Sequence, residues 1–266
     1  MNQSPDMNVI IPMKKNFFLF TIILFLLAPY IKAEDAPVPP PAKIVKIKWY
    51  GQSFVTLISS VGIRIAIDPF DNKTNRYPLP VNIPMDIVLV SNEDDDHNNT
   101  DFIAGNPIIF RSSTGEGTNR GNGIIFKGTP GIKDETSTAQ IGNKSMIYTF
   151  SLDGVKFCHL GNLGQKSLKE KQLQQIGAVD VLILPIGDSD REELLAQIKP
   201  KIVIPIHYKT PLTVVPLYSV EDFVKNKPVK RFPTNEISIS KNDFPPQMEV
   251  WLYANPPEKI PELIQP

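Results

Sequence analysis

The chain has three histidines, His97, His159 and His207, and one cysteine, Cys158. Each histidine falls in a short segment that follows or closes an apolar run: Ser91–His97 (SNEDDDH), His159–Gly164 (HLGNLG) and Ile204–Thr210 (IPIHYKT). Imidazoles and carboxylates are the side chains that bind metals or move protons near neutral pH. Loops at the C-terminal ends of strands are where α/β proteins gather such groups. The run Glu93–Asp96 reads either as a solvated turn or as part of a site. In a site, neighbouring carboxylates raise one another's pKa and need a counter-charge. Cys158 lies in an apolar run and reads as a buried, inert thiol. A single cysteine also excludes an internal disulfide.

The elements that must position these segments are legible as periodicity. Val45, Ile47 and Trp49 alternate with Lys46 and Lys48, a half-buried strand. Phe54–Ile58 and Ile63–Ile67 flank a turn at Ser60–Gly62, and Asp86–Val90 is a short buried strand. Residues 111–145 are rich in Gly, Ser, Thr and Asn and read as long loops. Ile147–Phe150 and Val155–His159 form a hairpin around Asp153 and Gly154. Ser167 to Glu170 has the capping-box pattern and opens a helix ending near Gly177. Val181–Leu184 and Ile202–Ile206 are buried strands, and Arg191–Lys199 is a helix closed by Pro200. Beyond Pro211, the sequence marks only one strand, around Val250–Tyr253.

Lys14 and Lys15 precede an apolar run from Phe17 to Ala28, and Ile31 and Ala33 fit the positions before a cleavage site. This is the pattern of a secretory signal over residues 1–33. The run is short for a membrane anchor, which needs about 20 residues. Residues 34–42 form a Pro-rich linker, the domain spans 43–255, and 256–266 is a Pro-rich tail. The expected location is periplasmic or secreted, with no stable membrane span after cleavage. The formal net charge is zero, and removing residues 1–33 takes away three lysines and one aspartate, leaving 25 basic against 27 acidic residues. No basic field argues for nucleic acid.

The order of these segments resembles the metallo-β-lactamase superfamily, in the branch that includes L-ascorbate 6-phosphate lactonase and related metal-dependent hydrolases. The similarity runs from about Ile47 to Thr210. It includes Trp49-Tyr50-Gly51-Gln52-Ser53, where the branch usually has Gly-His-Ser, then Ile67-Asp68-Pro69-Phe70 and Asp86-Ile87-Val88-Leu89-Val90-Ser91. It implies an α/β fold, the four-layer αββα sandwich. It also implies two metals that generate a hydroxide nucleophile at neutral pH.

Carried over residue by residue, the family's His-x-His-x-Asp-His loop falls on Asn92 to His97, so Asn92 and Asp94 stand where two histidines would be. The third histidine of the first metal falls on Lys133, and the bridging aspartate falls on Asn162. Gln165 replaces a further histidine. The second-metal set of Asp96, His97 and His207 is intact. An ammonium cannot ligate a metal, so the first site is expected to be absent. The second site could hold one zinc or other divalent metal, or none, its histidines then being simply hydrogen-bonded. Gln52, Asp68, His159 and Gln165 are expected in the pocket or behind it. Asp68 either orients the 92–97 loop or merely forms a turn before Pro69.

Three functions follow from this pattern. The first is a non-catalytic protein that uses the old cleft for a small-molecule ligand. The second is a single-metal hydrolase of a small ester, lactone or phosphoester. The third is an interaction or scaffold protein of the cell envelope. A charge-replacement idea accompanies the first. The Lys133 ammonium would occupy the space of the first metal and pair with Asp94, and Asn92 would accept a hydrogen bond through its amide oxygen. If that pair is buried, Lys133→Ala should cost about 3 kcal/mol. If Lys133 faces solvent, the cost should stay within about 0.5 kcal/mol.

Overall fold

Strand alternation divides the early apolar residues between two faces, and the fold is the result. A computed structural model describes residues 43–257 except 72, 74, 140, 141 and 188–190. The segments read from sequence as an export signal and a linker, and the end of the tail, lie outside the described residues. The strands β1 (Val45–Gly51), β2 (Phe54–Ile58), β3 (Arg64–Ile67), β4 (Ile83–Pro84), β5 (Ile87–Leu89), β6 (Ile103–Ala104) and β7 (Ile108–Phe110) make up the first half. Then come β8 (Gly117–Gly121), β9 (Ile124–Ile132), β10 (Lys144–Leu152), β11 (Val155–His159), α1 (Glu170–Ile176), β12 (Val181–Pro185), α2 (Glu192–Ile198) and β13 (Ile202–Ile206). The chain closes with α3 (Val220–Val224), β14 (Val229–Arg231), β15 (Glu236–Ile239), a 3₁₀ turn at Lys241–Asp243 and β16 (Glu249–Leu252).

Among the described residues, one sheet has the order β15-β1-β2-β3-β5-β7 and the other β14-β16-β13-β12-β11-β10-β9-β8. Ile47, Leu57, Ile65 and Ile87 of the first sheet share the main core with Met146, Phe150, Leu182 and Ile204 of the second. The parallel steps β11–β12 and β12–β13 need crossovers, and α1 and α2 supply them. Ile176, Leu194, Leu195 and Ile198 face that core. On the other face of the first sheet, Phe54, Ala66 and Val88 pack with Phe70, Tyr77 and Met85 from the long crossover after β3. With β4 and β6 paired, this crossover builds the outer layer there. The architecture is the expected α/β sandwich.

Three local expectations are corrected. Residues 111–145 are not only loop: β8 and β9 form a hairpin whose turn, Asn122 (φ 48°) and Gly123 (φ 79°), is left-handed at both positions, as a tight two-residue hairpin requires. The cap of α1 is Lys169, whose backbone N–H donates to Gln172 Oε1 at 2.8 Å, so the Ser167 to Glu170 pattern is not the one used. The C-terminal part contributes α3, β14 and β15 besides β16, and β15 pairs with β1 along the sheet edge. Cys158 is fully buried, and desolvation pushes its thiol far above the usual range.

Candidate functional site

The ends of the two sheets are tied together at two buried points, and the histidine-bearing loops meet there. The first tie is Asp68, directly after β3 and left-handed at φ 48°. That conformation is strained for a non-glycine residue. Its carboxylate accepts from the Ser91 N–H and hydroxyl, both at 2.7 Å, and sits 2.6 Å from His159 Nε2. Asp68 and His159 are both fully buried. Burial alone would raise the Asp68 carboxyl; the charge and hydrogen bond of His159 outweigh it and hold it below the usual carboxylate range. Asp68 thus fixes the start of the 91–97 loop, whatever else its turn does, and His159 acts from behind that loop.

The second tie is Gln52, at φ 46° in the turn between β1 and β2. Its carbonyl accepts from the His207 N–H at 2.8 Å and from the Trp49 indole at 3.1 Å. The neighbouring Gly51 has φ 106°, and a Cβ there would lie 2.4 Å from the Tyr77 ring, so only glycine fits. Gly187 performs a similar service for His207: a Cβ would meet His207 O at 2.9 Å and Nδ1 at 3.0 Å.

Between the ties lies Asp96. Its Oδ1 is 2.7 Å from His97 Nδ1, and its Oδ2 is 3.4 Å from both His207 Nε2 and the Gln52 amide nitrogen. The Ser53 hydroxyl donates to the Asp96 carbonyl. Burial would raise this carboxyl, but the two histidines hold it well below the usual range. His97 is fully buried, which opposes its charged form, yet Asp96 raises its pKa above the ordinary histidine value. Three buried side-chain atoms of the histidine loops and ties, Gln52 Oε1, His97 Nε2 and His159 Nδ1, have no hydrogen-bond partner among the described residues.

Asn92, Asp94 and Lys133 form the next group. Lys133 Nζ lies 2.9 and 2.7 Å from the two Asp94 oxygens. The side chains are 26% and 42% exposed respectively, so the pair is neither buried nor solvent-facing, and the two magnitudes expected from sequence bracket it. Asn92 Oδ1 accepts from the Asp94 N–H at 2.9 Å, a local turn instead of the contact to Lys133. Each carboxylate of the acidic run has its own partner: Glu93 with Arg111, Asp94 with Lys133, Asp95 with Lys73, and Asp96 with the histidines.

Gln165 is tied to the end of β9 and to α1. Its Oε1 accepts from the Ile132 N–H at 2.9 Å, and its amide nitrogen is 3.3 Å from Gln172 Oε1. Asn162 is half-buried in the loop after β11, beside Gly161, where a Cβ would lie 2.6 Å from the Ser91 side chain. Gly187 and Gln172 take part in this scaffold without being marked in the sequence, and Ser53 and Ser91 lie within its motifs with no role assigned to them. Gly187 could have been found, since it lies two residues beyond the buried strand β12.

The set Asp96, His97 and His207 is brought together, but as it stands it does not fit a metal ion. His97 gives Nδ1 to Asp96, which leaves its free nitrogen on the other side of the ring. Among the described residues, no group of three or more His, Cys, Asp or Glu is arranged to hold a metal.

The family model described as "Beta-lactamase superfamily domain" matches residues 46–207. Relatives include a UPF0173 metal-dependent hydrolase of Methanobrevibacter smithii, 28% identical over 197 residues that cover 62% of this chain and 82% of the relative. Another, from Polynucleobacter asymbioticus, is 25% identical and covers 84% and 96%. Among solved structures, a Thermotoga maritima protein assigned to the Zn-dependent hydrolases of the metallo-β-lactamase superfamily aligns with TM-score 0.62 and 29% identity, covering 79% of this chain and 100% of that one. By fold, by sequence and by the loops that converge on Asp96, the chain belongs to the metallo-β-lactamase superfamily.

Proposed function

We propose that this chain is an exported member of the family that binds a small molecule in the ancestral cleft and no longer runs two-metal hydrolysis. The observation that carries the reading is the ammonium of Lys133 seated on both oxygens of Asp94. These two residues stand where family resemblance puts ligands of the first metal. An ammonium there repels a divalent cation and offers no lone pair. Asn162, at the bridging position, brings no charge to offset it. The test is reversion. A variant carrying Asn92→His, Asp94→His, Lys133→His and Asn162→Asp should take up one more equivalent of zinc in calorimetric titration than the wild-type chain. Equal zinc uptake by both would defeat the proposal.

A single-metal hydrolase is the second reading. It is favoured by the meeting of Asp96 with His97 and His207 and by the naming of the relatives as metal-dependent hydrolases. It requires His97 to release Asp96 and turn its free nitrogen inward. Export rests on the residue 14–33 pattern.

A further inference from the structure

We infer that the exposed face of β9, β10 and β11 beside the end of α1 carries a second binding site, one for a phosphomonoester with a small apolar body. It is separate from the histidine loops: it lies toward the start of β9 and β11, whereas Lys133 and His159 stand at or beyond the ends of those strands. A cavity of about 310 Å³ opens there, and Ile125, Lys127, Thr149, Ser151, Lys156 and Ile176 are among its walls. That volume is at the lower end of the range of small-molecule sites.

Strand register puts the polar groups on one face. Lys127 of β9 is directly across from Thr149, and Lys156 of β11 is directly across from Ser151. Thr149 and Ser151 are two residues apart on β10, so the two lysines flank two hydroxyls that point the same way. The lysine Cα atoms are two strand spacings and two residues apart, about 12 Å, a gap that two four-carbon stems can close over the hydroxyls. Both lysines are exposed and form no ion pair among the described residues, and neither hydroxyl is engaged by another described residue. Asp180 meets this end only through the Lys156 backbone, whose N–H it accepts at 2.9 Å. Arg120 of β8, directly across from Ile125, adds a third unpaired cation to the same face. Two ammonium groups over two hydroxyl donors match a doubly charged phosphoryl group better than the single charge of a carboxylate. The apolar body follows from Ile125, 44% exposed, and from Ile176 at the end of α1, both walls of the same cavity. Apolar surface beside convergent polar groups is what holds a small organic ligand.

Calorimetric titration of the full chain with phenylphosphonate, a non-hydrolysable analogue of a phosphomonoester, tests this at about pH 8, where the group is doubly charged. Inorganic phosphate and benzoate are the controls. Phenylphosphonate should bind saturably, and about fivefold or more tighter than either control. Lys127→Gln and Lys156→Gln should each weaken it about fivefold, and Lys127→Arg should retain it. Ile125→Ser should remove the advantage over inorganic phosphate while leaving phosphate binding unchanged. All three replaced side chains are exposed, so the melting temperature should not move. Flotation with phosphatidylcholine vesicles, with and without phosphatidic acid, separates the sources of the ester. Capture by phosphatidic acid that phenylphosphonate displaces assigns a lipid headgroup; saturable phenylphosphonate binding without capture assigns a soluble ester. No saturable binding of phenylphosphonate, benzoate binding as tightly, or an affinity unchanged in both glutamine variants, as binding at the histidine loops would produce, would each overturn the inference.

Discussion

Replacing Lys133 by Met keeps the aliphatic stem and removes the charge, so it isolates the Lys133–Asp94 ion pair. Two unit charges about 4 Å apart attract by about 4 kcal/mol at the effective dielectric near a protein surface. With side chains 26% and 42% exposed, much of this is returned as lost hydration and side-chain freedom. Exposed pairs retain about 0.2–1 kcal/mol, and the two-oxygen contact places this one near the top, at about 1 kcal/mol. For a domain of this size that is a fall of about 2–4 °C in melting temperature. The assay is a double-mutant cycle with Asp94→Asn, read by urea unfolding at low and high salt. A coupling of about 1 kcal/mol that shrinks in 1 M salt, where the Debye length is about 3 Å, fits the account. A coupling below about 0.2 kcal/mol would refute the charge-replacement argument, and one near 3 kcal/mol would mean that the carboxylate is sealed from water.

The remaining predictions concern the ties, the residual metal set and the precursor. Asp68→Asn should destabilise the fold by about 3–5 kcal/mol, as loss of one partner of a buried pair does. Because the folded Asp68 carboxyl lies below its unfolded value, its contribution is present above about pH 4 and lost as pH falls further. Acid unfolding curves of the variant should therefore be flatter than wild type, and a variant with an equal acid limb would contradict the role given to His159. If a metal binds, His207→Ala should abolish it and Asn92→Ala should leave it unchanged, measured by equilibrium dialysis with zinc; the reverse pattern would misplace the site. Intact mass of the protein from the envelope fraction should correspond to cleavage after Ala33, and a full-length cytoplasmic product would exclude export.

The parts of the fold legible in sequence are those where burial imposes a pattern. Val45, Ile47 and Trp49 alternate because one side of β1 faces the main core and the other does not. Ile202–Ile206 is continuously apolar because both faces of β13 are covered. The hairpin β8–β9 escaped because β8, Gly117-Thr118-Asn119-Arg120-Gly121, is an edge strand with three of its five residues exposed and one half-buried, and β9 carries Gly128, Pro130 and Gly131. Strands β14 and β15 are short and half-exposed, so local composition hides them. At the site, residue types identified Lys133 and Asp94 as partners, since both depart from the family pattern at neighbouring positions. What sequence could not supply was the depth of that pair, or that Gln165 would turn to Gln172. Both depend on where the end of β9 rests against the His159–Gly164 loop, a non-local packing outcome in which Gly164 lies under the Lys133 carbonyl.

The central claim is that an ion pair now stands where the family places its first metal. Elemental analysis of the protein purified from its native cells, without added metal or chelator, addresses it most directly. No more than one tightly bound divalent ion per chain is the predicted result; two equivalents per chain would contradict the account.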